Sequence, residues 1–155
     1  MAFELSQSLY THHLPTPQHL FLSGRIAPSR RAENTQVDLS RNGLLEYMRT
    51  LDGTPKEIFE DKSLLDLLLP RIRADLMLNT SYVPTLNNSL NIPMTVYAGT
   101  EDDGEKEDYL AWQQQTNAAF QLKYFPGNHF FINDHFRAII QDIHIKCKLA
   151  VSSQK

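Results

Sequence analysis

Two loops of this sequence carry side chains that could work together on a proton. The first, Gly99-Thr100-Glu101-Asp102-Asp103, follows the apolar run Ile92-Pro93-Met94-Thr95-Val96-Tyr97-Ala98. The second, Pro126-Gly127-Asn128-His129-Phe130-Phe131, follows Phe120-Gln121-Leu122-Lys123-Tyr124-Phe125. Both runs read as strands. A carboxylate after one strand and a histidine after the next are two parts of a hydrolase. The carboxylate holds the imidazole in one tautomer and stabilises its cation. The imidazole takes a proton from a nucleophile and returns it to the leaving group. Taken alone, the same residues have plainer readings: acidic loops are solvated, and a histidine among aromatics packs. Asp102 and Asp103 both stand where the acid would be.

The elements that position these loops follow from hydrophobic spacing. Ala2 to Tyr10 reads as a helix with Phe3, Leu5 and Leu9 as its apolar residues and no capping residue before it. Pro15 and Pro17 end it. His19 to Gly24 is a short strand closed by a turn signal. Residues 42–82 read as a helical block, with Leu44, Leu45, Met48 and Leu51, and then Leu64, Leu65, Leu68, Ile72 and Leu76, at helical spacing. Thr54 is the expected cap before Pro55, and Pro70 is expected to kink or split the helix it interrupts. Glu105 to Gln115 is a helix bearing Tyr109 and Trp112. The last helix, from about Asn133 to Ala150, carries Phe136, Ile139, Ile140, Ile143 and Cys147 as an expected buried stripe. Strands alternating with helices predict an α/β fold with parallel strands, whose functional loops gather at the strands' carboxyl ends.

Composition narrows the function classes. The 155 residues fit one domain, and the hydrophobic fraction of 41% allows a core. Fifteen Lys and Arg against eighteen Asp and Glu give a net charge of −3. Arg25, Arg30 and Arg31 are too small a basic cluster for nucleic acid. No apolar run is long enough for a membrane span. The first residues lack the basic and apolar blocks of a signal peptide. The single cysteine, Cys147, cannot form an internal disulfide. A cytoplasmic protein is expected, with no metal and no cofactor. His12 and His13 are read as exposed residues at a helix end.

Several ordered motifs go further. Phe125-Pro126-Gly127-Asn128-His129-Phe130-Phe131 resembles the histidine motif of type II thioesterases of non-ribosomal peptide and polyketide synthesis. Ala2-Phe3-Glu4-Leu5 resembles the helix after that family's nucleophile elbow, and Leu22-Ser23-Gly24-Arg25-Ile26-Ala27-Pro28 its next strand and turn. Leu51-Asp52-Gly53-Thr54-Pro55 and Leu69-Pro70-Arg71-Ile72-Arg73-Ala74-Asp75 resemble its lid. Trp112 and Thr116 fit its Trp-x-x-x-Thr pattern.

The resemblance implies an α/β-hydrolase fold with a Ser-Asp-His triad, acting on acyl thioesters held on the phosphopantetheine arm of a carrier protein. By motif position Asp102 is the triad acid and His129 the base, with the Gly-x-x-Asp spacing from Gly99 favouring Asp102 over Asp103. The family's Gly-x-Ser-x-Gly elbow does not occur among these residues. Ser6 and Ser8 lie on a helix and Ser23 in a strand, so none stands on a strand-to-helix turn. The expectation is therefore a partial α/β-hydrolase domain over residues 1–155, the C-terminal portion of the family's fold, with a helical lid at about 29–88. Its expected partners are an acyl or peptidyl carrier protein and an N-terminal segment or chain completing the sheet. The intact enzyme would hydrolyse acyl thioesters, and the chain by itself would be inactive. The alternative is a non-catalytic remnant, or one piece of a split enzyme, that binds a partner only. Arg71 and Arg73 are read as solvated, with docking to an acidic carrier as their functional alternative. The Leu64–Leu69 run is read as lid core.

Overall fold

The computed structural model describes residues 1–30, 37–50, 53–84 and 89–152, with side chains to 148. The expected parallel architecture is present. Strands β1 (Leu20–Ser23), β2 (Met94–Gly99) and β3 (Phe120–Phe125) form one sheet in the order β1-β2-β3. Both pairings are parallel, with Leu20 opposite Met94 and Met94 opposite Phe120. The helices are α1 (Ala2–Thr11), α2 (Arg41–Thr50), α3 (Lys56–Glu60), α4 (Lys62–Ser81), α5 (Lys106–Leu110) and α6 (Ile132–Ser152).

The chain divides into two compact units. One comprises Met1–Arg31 with Pro84–Lys155, and the other comprises Ala32–Val83. The first unit is the sheet with α1, α5 and α6. Alternation along the strands separates two cores. Leu20, Met94, Val96 and Ala98 face one side and bury with Phe3 of α1, Tyr109 and Trp112. The aromatic edge-on contact of Phe3 with Trp112, 5.3 Å between centroids, seats α1 there. Tyr97 faces the other side and buries with Phe131 and Ile139, helped by Phe21, Phe125 and Ile143.

The second unit has its own core of Leu44, Met48, Leu65, Leu69 and Leu76. Here α4 runs through Pro70 as one helix of 20 residues, so the expected split does not occur. Its start is capped by Asp61, whose carboxylate accepts from the Leu64 amide at 3.0 Å. The expected Thr54 cap is replaced by Pro55 at the N-cap of α3 without a side-chain bond. Arg73 does not stand free: its Nε donates to the Leu39 carbonyl at 3.0 Å. Leu51, Asp52 and Arg31 lie outside the described residues.

The apolar stripe read along α6 is only half right. Ile139 is buried and Ile143 half-buried, but Phe136 and Ile140 are 47% and 59% exposed and Cys147 is exposed. Polar residues take part of the inner face instead. The Asp142 carboxylate accepts from the Tyr97 hydroxyl at 2.7 Å and pairs with Lys123 of β3, and Lys146 stands 3.8 Å away. Burial works against ionisation of Asp142, but hydrogen bonds from Lys123 and Tyr97 and the nearby lysine charges outweigh it and hold its pKa below the usual carboxylate value. Burial, then the bond to Asp142, pushes the Tyr97 phenol up.

A pH dependence follows. A carboxyl whose folded pKa is depressed stabilises the fold above its unfolded value, about 4, and loses that contribution as pH falls through the folded value. We expect the melting temperature to drop as pH falls from about 5 to about 3, and Asp142→Asn to flatten part of that slope. Thermal melts by near-ultraviolet circular dichroism would measure both. Parallel pH profiles for parent and variant would rule Asp142 out as a contributor.

Candidate active site

The C-terminal ends of β2 and β3 are stitched together by backbone bonds. The Thr100 amide donates to the Phe125 carbonyl and the Glu101 amide to the Gly127 carbonyl, each at 2.9 Å. Gly127 turns the second loop with φ 112°, a conformation open to glycine. The two loops approach so closely that a Cβ on Gly99 would stand 2.5 Å from the carbonyl oxygens of both Gly127 and Asn128. Below the second loop, Phe131 is buried and stacks on Phe125 at 5.9 Å, which anchors the start of α6. His135 adds a ring-nitrogen contact to the Pro126 carbonyl at 3.0 Å.

On this frame Asp102 and His129 meet. Nδ1 of His129 lies 3.0 Å from Oδ1 of Asp102, which also accepts from the Asp103 amide at 3.1 Å. Asp103 bonds Asp102 through its backbone amide, and among the described residues the carboxylate hydrogen-bonded to the imidazole is that of Asp102. The Asp102 side chain is 4% exposed and the His129 side chain 46% exposed. With the proton of the neutral imidazole on Nδ1, donated to the carboxylate, Nε2 is left as the acceptor. Among the described residues Asp102 is the imidazole's one hydrogen-bond partner. The pair can therefore take up a proton at Nε2 and stabilise the resulting cation.

Two neighbours were not singled out from sequence. Gly24 ends β1 with φ 57°, and a Cβ there would lie 3.2 Å from Cε1 of His129, so the imidazole rests on bare backbone. The turn signal after β1 was readable, but not which ring it would meet. Tyr109, 1% exposed, lies beside Asp102 and packs under the acidic loop, where a Cβ on Gly104 would come within 2.8 Å of its ring. Burial, then the Asp102 carboxylate, raises its phenol. The contact falls short of hydrogen-bond geometry, because the second oxygen, Oδ2 of Asp102, is buried without a partner among the described residues.

The remaining motif residues hold structure. The Trp112 indole donates to the Arg25 carbonyl at 2.8 Å and so pins the turn after β1. The Thr116 hydroxyl reaches the Ile92 carbonyl at 2.7 Å and the Leu90 carbonyl at 3.1 Å, fixing the entry to β2. Ser6 is buried and donates back to the Ala2 carbonyl at 2.9 Å, while Ser8 and Ser23 are exposed. His12 and His13 are exposed, as expected of a helix end, and His12 bonds the Ser8 carbonyl. No group of metal ligands is found among the described residues, and no helix there is long and apolar enough to cross a membrane.

Comparison with known proteins gives concordant matches. The thioesterase domain model matches residues 1–147. The chain is 31% identical over 150 residues to the gramicidin S biosynthesis protein GrsT of Aneurinibacillus migulanus, which covers 96% of this chain and 57% of that protein. It is 32% identical over 144 residues to the thioesterase PikA5 of Streptomyces venezuelae, covering 92% of this chain and 51% of the relative. Among solved structures, the type II thioesterase BorB from the borrelidin biosynthetic cluster superposes with a TM-score of 0.80 at 32% identity, over 92% of this chain and 59% of that one. ClbQ from the colibactin pathway superposes with a TM-score of 0.85 at 26% identity, over 97% and 65%. The chain thus spans about half to two-thirds of the length of these relatives, corresponding to much of their C-terminal portion.

Proposed function

Because the chain belongs to the thioesterase domain family, alongside type II thioesterases of peptide and polyketide biosynthesis, we propose that it supplies the acid and base of an acyl-thioester hydrolase. The observation that carries this reading is the Asp102–His129 contact of 3.0 Å between the ends of β2 and β3. In the complete enzyme a serine hydroxyl would give its proton to Nε2 of His129 and attack the thioester carbonyl. The thiol of a phosphopantetheine arm would leave with that proton. Water would then be deprotonated by the same nitrogen and release the free acid. Asp102 would hold the imidazole through Nδ1 and stabilise its cation. The carrier protein bearing that arm is the proposed partner, and the helical segment at about 29–88 the proposed lid, which must open to admit it.

The nucleophile and the donors for the oxyanion are not among the assigned residues. Since these supply much of the rate in acyl transfer, we expect the chain alone to release no free acid from an acyl-phosphopantetheinyl carrier. Chromatographic measurement of the acid, with a His129→Ala control, tests this. Turnover near about 1 per second that disappears in the control would mean that this chain contains its own nucleophile or activates water directly. The absence of a Gly-x-Ser-x-Gly in these residues also supports a second reading, in which the chain is a non-catalytic remnant that keeps only partner binding.

A further inference from the structure

Among the described residues the carboxylate of Asp102 is gripped through one oxygen only. Oδ1 meets the His129 ring nitrogen at 3.0 Å and the Asp103 amide at 3.1 Å. Oδ2 is buried and has no hydrogen-bond partner there. A buried carboxylate oxygen without a donor is costly, and native folds generally supply one. It also leaves the acid poorly fixed. The last torsion of an aspartate is soft, so a carboxylate held at one oxygen can turn out of line with Nδ1.

Tyr109 stands where a donor to Oδ2 is needed. Its side chain is 1% exposed, and its ring meets Tyr124 edge-on at 6.2 Å. The helix that carries it, α5, is fastened on both sides of its backbone. The Asp108 side chain accepts from the Glu105 amide at 3.1 Å, and the Asp108 carbonyl accepts from the Ala27 amide at 3.0 Å. Cζ, the ring carbon that bears the hydroxyl, lies beneath Gly104, in the loop that carries Asp102. A Cβ on Gly104 would come within 2.9 Å of it, so the bare backbone there is what admits the phenol. Burial first, and then the Asp102 carboxylate, raise that phenol above its ordinary value. It therefore keeps its proton at neutral pH and remains a donor.

We propose that Tyr109 is a positioning residue for the triad acid: its hydroxyl donates to Oδ2 of Asp102 and fixes the carboxylate plane that presents Oδ1 to His129. The proposal rests on the acid–base reading above and adds a residue that acts through the carboxylate alone. A turn about the soft last torsion of Asp102 is the movement that brings the contact into hydrogen-bond geometry.

The test is nuclear magnetic resonance of the chain itself, which reads the Asp102–His129 bond without any thioester. Tyr109→Phe fills the same volume and removes only the hydroxyl. The Nδ1 proton of His129 should then exchange with water about ten-fold faster or more, the scale of one lost hydrogen bond to a charged group. Tyr124→Phe, at the neighbouring ring, should leave that exchange as in the parent. A role in packing alone would leave it unchanged in both. The parent chain supplies a second readout that needs no folded Tyr109 variant. Its Tyr109 hydroxyl proton should give a slowly exchanging resonance, and Asp102→Ala should abolish it. Equal Nδ1 exchange in the parent and Tyr109→Phe overturns the proposal, since Oδ2 would then be met by water. So does a Tyr109 hydroxyl that exchanges fast in the parent, or one that stays protected in Asp102→Ala. If Tyr109 protects the Nδ1 proton but the completed enzyme hydrolyses no thioester, the positioning contact stands and the catalytic reading falls.

Discussion

In the chain completed by the N-terminal portion of a thioesterase domain, His129→Ala should lower kcat by about 10⁴-fold or more, the scale seen when a triad base is removed. Under the proposed function the imidazole shuttles the proton in both acylation and deacylation. Its Nδ1 is committed to Asp102 at 3.0 Å, and the side chain is 46% exposed. Asp102→Asn should be nearly as damaging. An amide would reverse the polarity at Nδ1 or leave it unpaired, so Nε2 would carry the proton that it must instead accept. Asp103→Asn should stay within a few-fold of the parent, since Asp103 meets Asp102 only through its backbone amide. Steady-state release of free acid measures all three. Equal losses for the two aspartate variants would show that the acidic loop acts by charge alone, and an active His129→Ala enzyme would remove His129 from the chemistry.

The second large effect is expected at a residue with no chemistry of its own. Gly99→Ala places a methyl group 2.5 Å from two backbone oxygens of the neighbouring loop, which no side-chain rotation can relieve. The loops must separate, and the bonds from Thr100 and Glu101 that join them stretch with them. Overpacking of this kind costs about 1–3 kcal/mol, a drop in melting temperature of about 3–10 °C for a chain of this size. The separation also pulls Asp102 from His129. Nuclear magnetic resonance of the isolated chain should show the hydrogen-bonded Nδ1 proton of His129 in the parent and lose it in the variant. An unchanged melt together with a retained resonance would mean that the two loops have slack not evident in their geometry.

The positions of the strands were legible because the relevant signals are local. Short apolar runs ended by Gly24, Gly99 and Pro126-Gly127 mark β1, β2 and β3, and loops at parallel strand ends converge wherever such a sheet forms. The motif around His129 and the spacing of Asp102 from Gly99 were readable for the same reason. Helix boundaries were read to within a few residues, but not that the helix would continue unsplit through Pro70. Whether a proline breaks a helix depends on how neighbouring turns are held, and here α4 is held by a core of Leu65, Leu69 and Leu76 on both sides of it.

What failed was the inner face of α6. Periodicity names a stripe of apolar side chains but not the width of the surface available to receive it. Phe136 and Ile140 belong to the stripe by spacing and lie outside by packing, because Tyr97, Lys123 and Asp142 occupy part of the face with a polar network. No local rule pairs residues 45 positions apart in the chain.

By itself, then, the sequence determined the α/β class, the parallel strands and the two loops that carry an acid and a base, since each of these is set by residues adjacent in the chain. Only the tertiary structure decided that Asp102 rather than Asp103 meets the imidazole. It alone showed that the ring rests on the bare backbone of Gly24 and that Tyr109 lies beside the carboxylate. Those outcomes depend on the register of three strands and on the close approach permitted at Gly99, which are properties of segments brought together in space and written in no single stretch of residues.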